Sequence, residues 1–132
     1  MLTGDMLRRA TARFPDKTAI IWEGRHTTYT DLNAQANRFA HALAGLGLKK
    51  GEKVGIISRN RTEYGIVFFG AAKSGCVLVN VSVLYAPDEL QYVLDKADVQ
   101  VLIYEDLFAE KVEAVKPNCP KIETYIPIGQ PF

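Results

Sequence analysis

A three-layer α/β fold is what this sequence predicts: a parallel sheet with helices on both faces, preceded by a short helix and a β-hairpin. Three observations carry that expectation. Residues 51–81 read as strand, helix, strand, because the apolar run Val54-Gly55-Ile56-Ile57 and the β-branched run at 77–81 flank a helical stretch. Two further strand-like runs, 99–104 and the alternating Ile122, Thr124 and Ile126, are each preceded by a helical repeat. Strands that alternate with helices in this way pair in parallel, since each connection is long enough for a crossover. With the four strands numbered in chain order, a central start followed by a reversal gives the order 2-1-3-4, and the switch point falls beside the Val54 strand.

Taken in order, residues 5–13 form a short helix with Met6, Leu7 and Ala10 on one side. Phe14-Pro15-Asp16 ends it, because proline removes a donor and disfavours helix at the residue before it. Residues 19–22 and 26–29 flank Glu23-Gly24-Arg25 and predict a hairpin with Gly24 at positive φ. The first long helix takes Thr30 as its N-cap, with the Asp31 carboxylate at the positive end of the dipole. Leu32, Ala36, Phe39, Leu43 and Leu46 make its apolar stripe. Gly47 closes it as the left-handed residue of a Schellman motif, with Leu48 folding back toward Leu43.

After the Val54 strand, Asn60 and Glu63 have the spacing of a capping box for a helix that is apolar nearly all round from Tyr64 to Ser74. Gly75 stops that helix in the left-handed region. Tyr64, Val67, Phe68 and Ala71 lie on one side and Ile66, Phe69 and Gly70 point elsewhere, so no broad polar face exists before Lys73. An exposed apolar patch around Tyr64, Val67 and Phe68 is therefore expected, and with it self-association through the helix 61–74 or a covering partner. Pro87 opens the next helix, with Asp88 and Glu89 in its first turn and Leu90, Val93, Leu94 and Ala97 on one buried face. A helix at 106–115 turns Phe108, Val112 and Val115 inward. Pro117 and Pro120 bound the turn beyond it, and Pro127 suits a last strand at the sheet edge.

At 132 residues and 48% hydrophobic, the chain is long enough for one ordinary core. Lys+Arg 16 against Asp+Glu 15 leaves +1, with the two signs interleaved, which predicts no field for nucleic acid or a membrane surface. No apolar run approaches the roughly 20 residues of a membrane helix. Arg8, Arg9 and Arg13 near the N-terminus have no apolar segment behind them, so they do not form a secretory signal. Cys76 and Cys119 fit neither a metal spacing nor CxxC and read as reduced thiols of a cytoplasmic protein.

Few residues point to chemistry. The cluster Gly45-Leu46-Gly47-Leu48-Lys49-Lys50-Gly51 follows a helix and precedes a strand, the reverse of a phosphate loop, and reads as a cap and a turn. In Gly70-Ala71-Ala72-Lys73-Ser74-Gly75 the small residues serve close helix packing, and Lys73 is a solvated or carbonyl-capping end residue. His26 and His41 lack ligand or triad partners at useful spacing. Asn80 is a polar residue in an apolar strand. It reads first as a satisfied buried amide and second as a residue facing a ligand crevice at the switch point.

Five segments in order resemble one family. They are Phe14-Pro15-Asp16-Lys17-Thr18-Ala19; Thr28-Tyr29-Thr30-Asp31-Leu32-Asn33 with Ala36-Asn37-Arg38; Leu46 through Val54; Ala72 through Asn80; and Asp88-Glu89-Leu90. Together they look like the N-terminal part of the AMP-forming acyl-CoA synthetases, a superfamily shared with adenylation domains and firefly-type luciferases. The segment from Val79 to Tyr85 resembles the fatty-acyl and other acyl-CoA ligases more than the amino-acid-activating domains.

The resemblance implies a two-step reaction: a carboxylate attacks the α-phosphate of ATP to give an acyl-adenylate, and the thiol of coenzyme A then displaces AMP. ATP, Mg2+ and coenzyme A are implied for a full-length ligase of fatty acid metabolism. By the same resemblance, the phosphate loop, the nucleotide-binding motifs and the C-terminal lysine lie beyond the point matching Phe132. No catalytic, cofactor-binding or metal residue is therefore assigned to this chain. Residues 1–132 are expected to be an incomplete N-terminal subdomain, inactive alone and completed by the remainder of a ligase. The alternative is a short non-catalytic interaction or dimerisation module.

Overall fold

The computed structural model describes residues 3–129 as six strands and five α-helices. They fall into two compact units. One holds the chain up to Gly51 together with Asn60–Val77; the other holds Glu52–Arg59 and the chain from Leu78 onward.

The first unit contains α1 (Thr3–Arg13), the hairpin β1 (Thr18–Trp22) and β2 (Arg25–Thr28), α2 (Tyr29–Gly45) and α3 (Thr62–Ser74). The hairpin closes on a two-residue turn, with Trp22 opposite Arg25. Gly24 has φ +76°, as expected, but Glu23 is also left-handed at +49°. A tight turn that matches the right-handed twist of its strands needs positive φ at both central residues.

Helix α2 is capped by Thr28 and not by Thr30: the Asp31 N–H donates to Thr28 Oγ1 at 3.1 Å, and Thr28 is extended at φ −75° and ψ 164°. The Thr30 hydroxyl donates instead to the Pro15 carbonyl at 2.9 Å, a tie to the preceding loop that local spacing cannot show. Thr28→Ala should cost about 1 kcal/mol. Thr30→Ala should cost less, since its hydroxyl satisfies none of the unpaired N–H groups at the helix start. Urea midpoints in the opposite order would return the cap to Thr30. At the other end the Schellman motif is present, with Gly47 at φ +85° and the Leu48 N–H donating to the Leu43 carbonyl at 3.2 Å.

Helix α3 begins one turn-residue later than its apparent capping box. Arg61 is the N-cap and makes no side-chain cap, while Glu63 takes the Arg61 guanidinium at 2.6 Å instead of reaching Asn60. Arg61 also lies 4.4 Å above the Trp22 ring. Gly75 stops the helix at φ +77°, and the Cys76 N–H returns to the Ala71 carbonyl at 3.0 Å. The expected apolar patch is not as drawn: Val67 is 3% exposed, and of its neighbours only Phe68, at 41%, is open. Helix α3 is packed by α1, α2 and the hairpin strand β1. Ile66 and Phe69 join Leu7, Leu32 and Ala36 in that core.

The second unit is built on a four-stranded sheet of β3 (Lys53–Ile57), β4 (Val77–Asn80), β5 (Val99–Glu105) and β6 (Thr124–Ile128), in the order β4-β3-β5-β6. β3 pairs with β5, and β5 with β6, in parallel. Helices α4 (Pro87–Lys96) and α5 (Ala109–Val115) cover it through Leu90, Leu94, Val112 and Val115, which meet Ile57, Val99 and Leu102 in one buried cluster. Pro87 is at N1 as expected; only Glu89 supports the cap, accepting from the Ala86 N–H at 3.1 Å, because alanine has no cap oxygen. The segment 106–115 divides into a 3-10 turn, Asp106–Phe108, and α5. Pro127 sits in β6, the terminal strand of the order, the kind of position to which proline is confined in a sheet.

Candidate functional site

In an open parallel sheet, ligands gather beyond the carboxyl ends of the strands at the topological switch point. Here that point lies between β3 and β5, from which the chain proceeds to β4 on one side and to β6 on the other. Ser58 and Arg59 leave β3, and Glu105 ends β5. Glu105 is the buried charge of this edge, 2% exposed. Its Oε1 accepts the Arg59 backbone N–H at 3.0 Å and Arg59 Nε at 3.1 Å, and its Oε2 accepts Nε at 3.1 Å and Nη2. Ser58, also buried, donates from Oγ to the Arg59 carbonyl at 2.8 Å. A carboxylate held by a guanidinium and an amide in this way is a latch on the turn after β3, and its lone pairs are engaged where a general base would need them open. Sequence reading ended the strand at Tyr104 and passed over this pair. The signal available was an acidic residue closing one apolar run and an arginine closing another.

A second fixed point lies beside the α4 N-terminus. Lys111 of α5 donates from Nζ to the carbonyls of Val83 (2.8 Å) and Tyr85 (2.7 Å), tying the loop after β4 to the helix. Ser82 Oγ accepts the Leu84 N–H within the same loop. A crevice of about 480 Å³ opens there, lined by Tyr85, Pro87, Leu107, Phe108 and Lys111 among others.

Asn80, at the end of β4, is exposed, so the buried-amide reading does not hold. The ladder continues one residue past it, with the Val81 N–H donating to the Ile56 carbonyl at 2.9 Å. His26 Nδ1 lies 3.1 Å from Thr18 Oγ1 at an exposed position across the hairpin, and His41 is exposed on α2. Cys76 and Cys119 are free and buried; burial first, then Asp95, pushes the Cys119 thiol up, away from a reactive thiolate. Burial first, then Arg8, lowers Lys73, whose stem packs within 3.0 Å of where a Cβ on Gly4 would stand. At the surface, Lys121 hydrogen-bonds Asp98 at 2.8 Å and so holds the Asp98 carboxyl below its ordinary range. That contribution is present above the unfolded-state pKa of the carboxyl and is lost as pH falls through the folded one.

The glycine cluster makes no phosphate cradle. Gly47 is the left-handed cap residue of α2, and the Gly51 N–H donates to the Gly75 carbonyl at 2.9 Å. Among the described residues no group of three His, Cys, Asp or Glu side chains is placed to hold a metal ion. Among them, too, no helix is long and apolar enough to cross a membrane.

Comparison with known proteins places these features in context. A family model described as AMP-binding enzyme matches residues 7–131. A medium/long-chain-fatty-acid–CoA/3-oxocholest-4-en-26-oate–CoA ligase of Mycolicibacterium smegmatis is 39% identical over 122 residues, covering 92% of this chain and 22% of the relative. A 3-oxocholest-4-en-26-oate–CoA ligase of Rhodococcus rhodochrous is 36% identical over the same share. Among solved structures, an anthranilate CoA ligase in complex with anthranoyl-AMP superposes with TM-score 0.94 at 32% identity, over 98% of this chain and 25% of that one. A Mycobacterium tuberculosis fatty acyl CoA synthetase gives 0.91 at 30% identity, over 96% and 26%. The chain therefore spans about a fifth of the length of the curated relatives it matches, 22% for the first of them.

Proposed function

This chain belongs to the AMP-binding enzyme family across residues 7–131, and we propose that it is the N-terminal scaffold of an AMP-forming acyl-CoA ligase that activates a medium- or long-chain carboxylate in the cytoplasm. The observation that carries the reading is the 39% identity to a fatty-acid–CoA ligase across 92% of the chain. Such a ligase joins a carboxylate to AMP and then to coenzyme A, using ATP and Mg2+. Those groups would be held by residues outside this chain, since the side chains here close on one another. The role left to this chain is mechanical: the Glu105–Arg59 latch and the Lys111 clamp fix the loops at the carboxyl edge of the sheet.

Two measurements test this. The chain alone should show no fatty-acid-dependent exchange of pyrophosphate into ATP; exchange above a heat-denatured control would overturn the scaffold reading. Substituted for the matched 122 residues of the M. smegmatis ligase, it should support fatty-acid- and coenzyme-A-dependent AMP release. A folded but inactive chimera would count against the ligase assignment.

A further inference from the structure

We propose that Lys73 is a site for carbon dioxide: its side-chain amine takes up CO2 as a carbamate, which the Arg8 guanidinium holds. Among the described residues three lysines are half-buried, Lys53, Lys73 and Lys111. Lys111 gives its ammonium to two backbone carbonyls, and Lys53 is engaged as well. Lys73 differs from both, because among the described residues it makes no hydrogen bond and no ion pair.

The packing of two helices accounts for this. Helices α1 and α3 touch where Gly4 meets Lys73: a Cβ on Gly4 would stand 3.0 Å from Lys73 Cγ and 3.2 Å from its Cα. The lysine stem is thereby laid against α1. Arg8 follows Gly4 by one turn on the same side of that helix. Asp5, the acid that acts on Lys73, is itself drawn to Arg8 at 3.7 Å. The ammonium therefore sits near a guanidinium with no acid of its own. Burial first, then Arg8, lowers the Lys73 pKa, and Asp5 opposes them with a smaller effect.

An amine so placed is neutral more often than an ordinary surface lysine, and the neutral amine is the nucleophile. Its nitrogen attacks the carbon of CO2, a C=O electron pair moves onto oxygen, and the nitrogen releases its proton to water. The step needs no oxidant and no leaving group. The side chain changes from a cation to an anion, so repulsion by Arg8 becomes attraction. An acyl donor would leave a neutral amide, which relieves the repulsion but gains no attraction. That difference favours CO2 over a thioester or an acyl phosphate. The carbamate then ties α3 to α1 through Arg8. The inference stands apart from the ligase reading, because it rests on this helix contact alone.

The test equilibrates the 132-residue chain with isotope-labelled bicarbonate, traps carbamates as ethyl esters with triethyloxonium, and locates them by peptide mass mapping. Label is expected at Lys73 and not at the exposed Lys96, and its yield at fixed dissolved CO2 should rise with pH. Arg8→Gln should lower the Lys73 yield by up to about fivefold, the effect of losing an exposed ion pair, whereas Arg8→Lys should keep most of it. Asp5→Asn should raise the yield, because that acid repels the carbamate and competes for Arg8. Unchanged far-UV circular dichroism would show that the variants fold. No label at Lys73, equal label at Lys73 and Lys96, or a yield indifferent to both Arg8→Gln and Asp5→Asn would overturn the proposal.

Discussion

Gly70→Val is expected to lower stability by about 2–3 kcal/mol, the range for forcing volume into a packed interior. A Cβ at Gly70 would stand 2.6 Å from Phe39 Cδ1 and 3.0 Å from the Ala36 carbonyl oxygen. The phenyl ring can swing aside, but the carbonyl belongs to the backbone of α2 and cannot. Helix α3 therefore lies so close to α2 that glycine alone fits at the crossing. Gly70→Ala meets the same carbonyl, partly offset by a helix-propensity gain of up to about 1 kcal/mol. Gly45 supplies the control: it is helical too, yet nothing lies within 4 Å of its would-be Cβ. Gly45→Ala should be neutral or stabilising by a few tenths of a kcal/mol. Urea titrations should thus give opposite signs for two glycines in helices. The same sign for both would mean that the crossing is looser than described.

Glu105→Ala should cost about 2–3 kcal/mol. Hydrogen bonds to a charged group contribute about 1.5–3 kcal/mol, and here one acceptor serves both the Arg59 amide and its guanidinium. The gain is discounted because the Arg59 side chain is 60% exposed and can return to water. Glu105→Gln keeps an acceptor for the amide and should cost less. Arg59→Ala removes the exposed partner and strips the buried carboxylate of its guanidinium, so it should cost as much as Glu105→Ala or more. A midpoint for Glu105→Ala within error of the parent would show that the latch does not hold the turn after β3.

The sites missed in the sequence share a property. The Glu105–Arg59 pair joins residues 46 apart, and the Lys111 clamp reaches back 26 and 28 residues. No local period announces such contacts. Thr30 was the expected cap of α2, but Thr28 is the residue still extended at the helix entry and takes the Asp31 N–H, while the Thr30 hydroxyl donates to the Pro15 carbonyl in another loop. Asn60 and Glu63 had the spacing of a capping box, and the competing Arg61 guanidinium took the carboxylate. Asn80 was expected inside because its neighbours are apolar, yet the strand ends there and the side chain meets solvent.

What the sequence by itself determined is the part set by short-range physics. Strand runs, the apolar faces of the helices, and the left-handed glycines 24, 47 and 75 follow from steric rules that act within a few residues. The family resemblance was legible for a related reason, since its motifs are mostly caps and turns. Only the tertiary structure decided which apolar helix face is covered. Helix α3 is packed by α1, α2 and β1, and its Ile66 and Phe69 enter their core with Leu7, Leu32 and Ala36. Only the tertiary structure, likewise, turned Arg59 and Glu105 into a buried latch. Burial and field strength depend on how segments distant in the chain are brought together, which no window along the sequence contains.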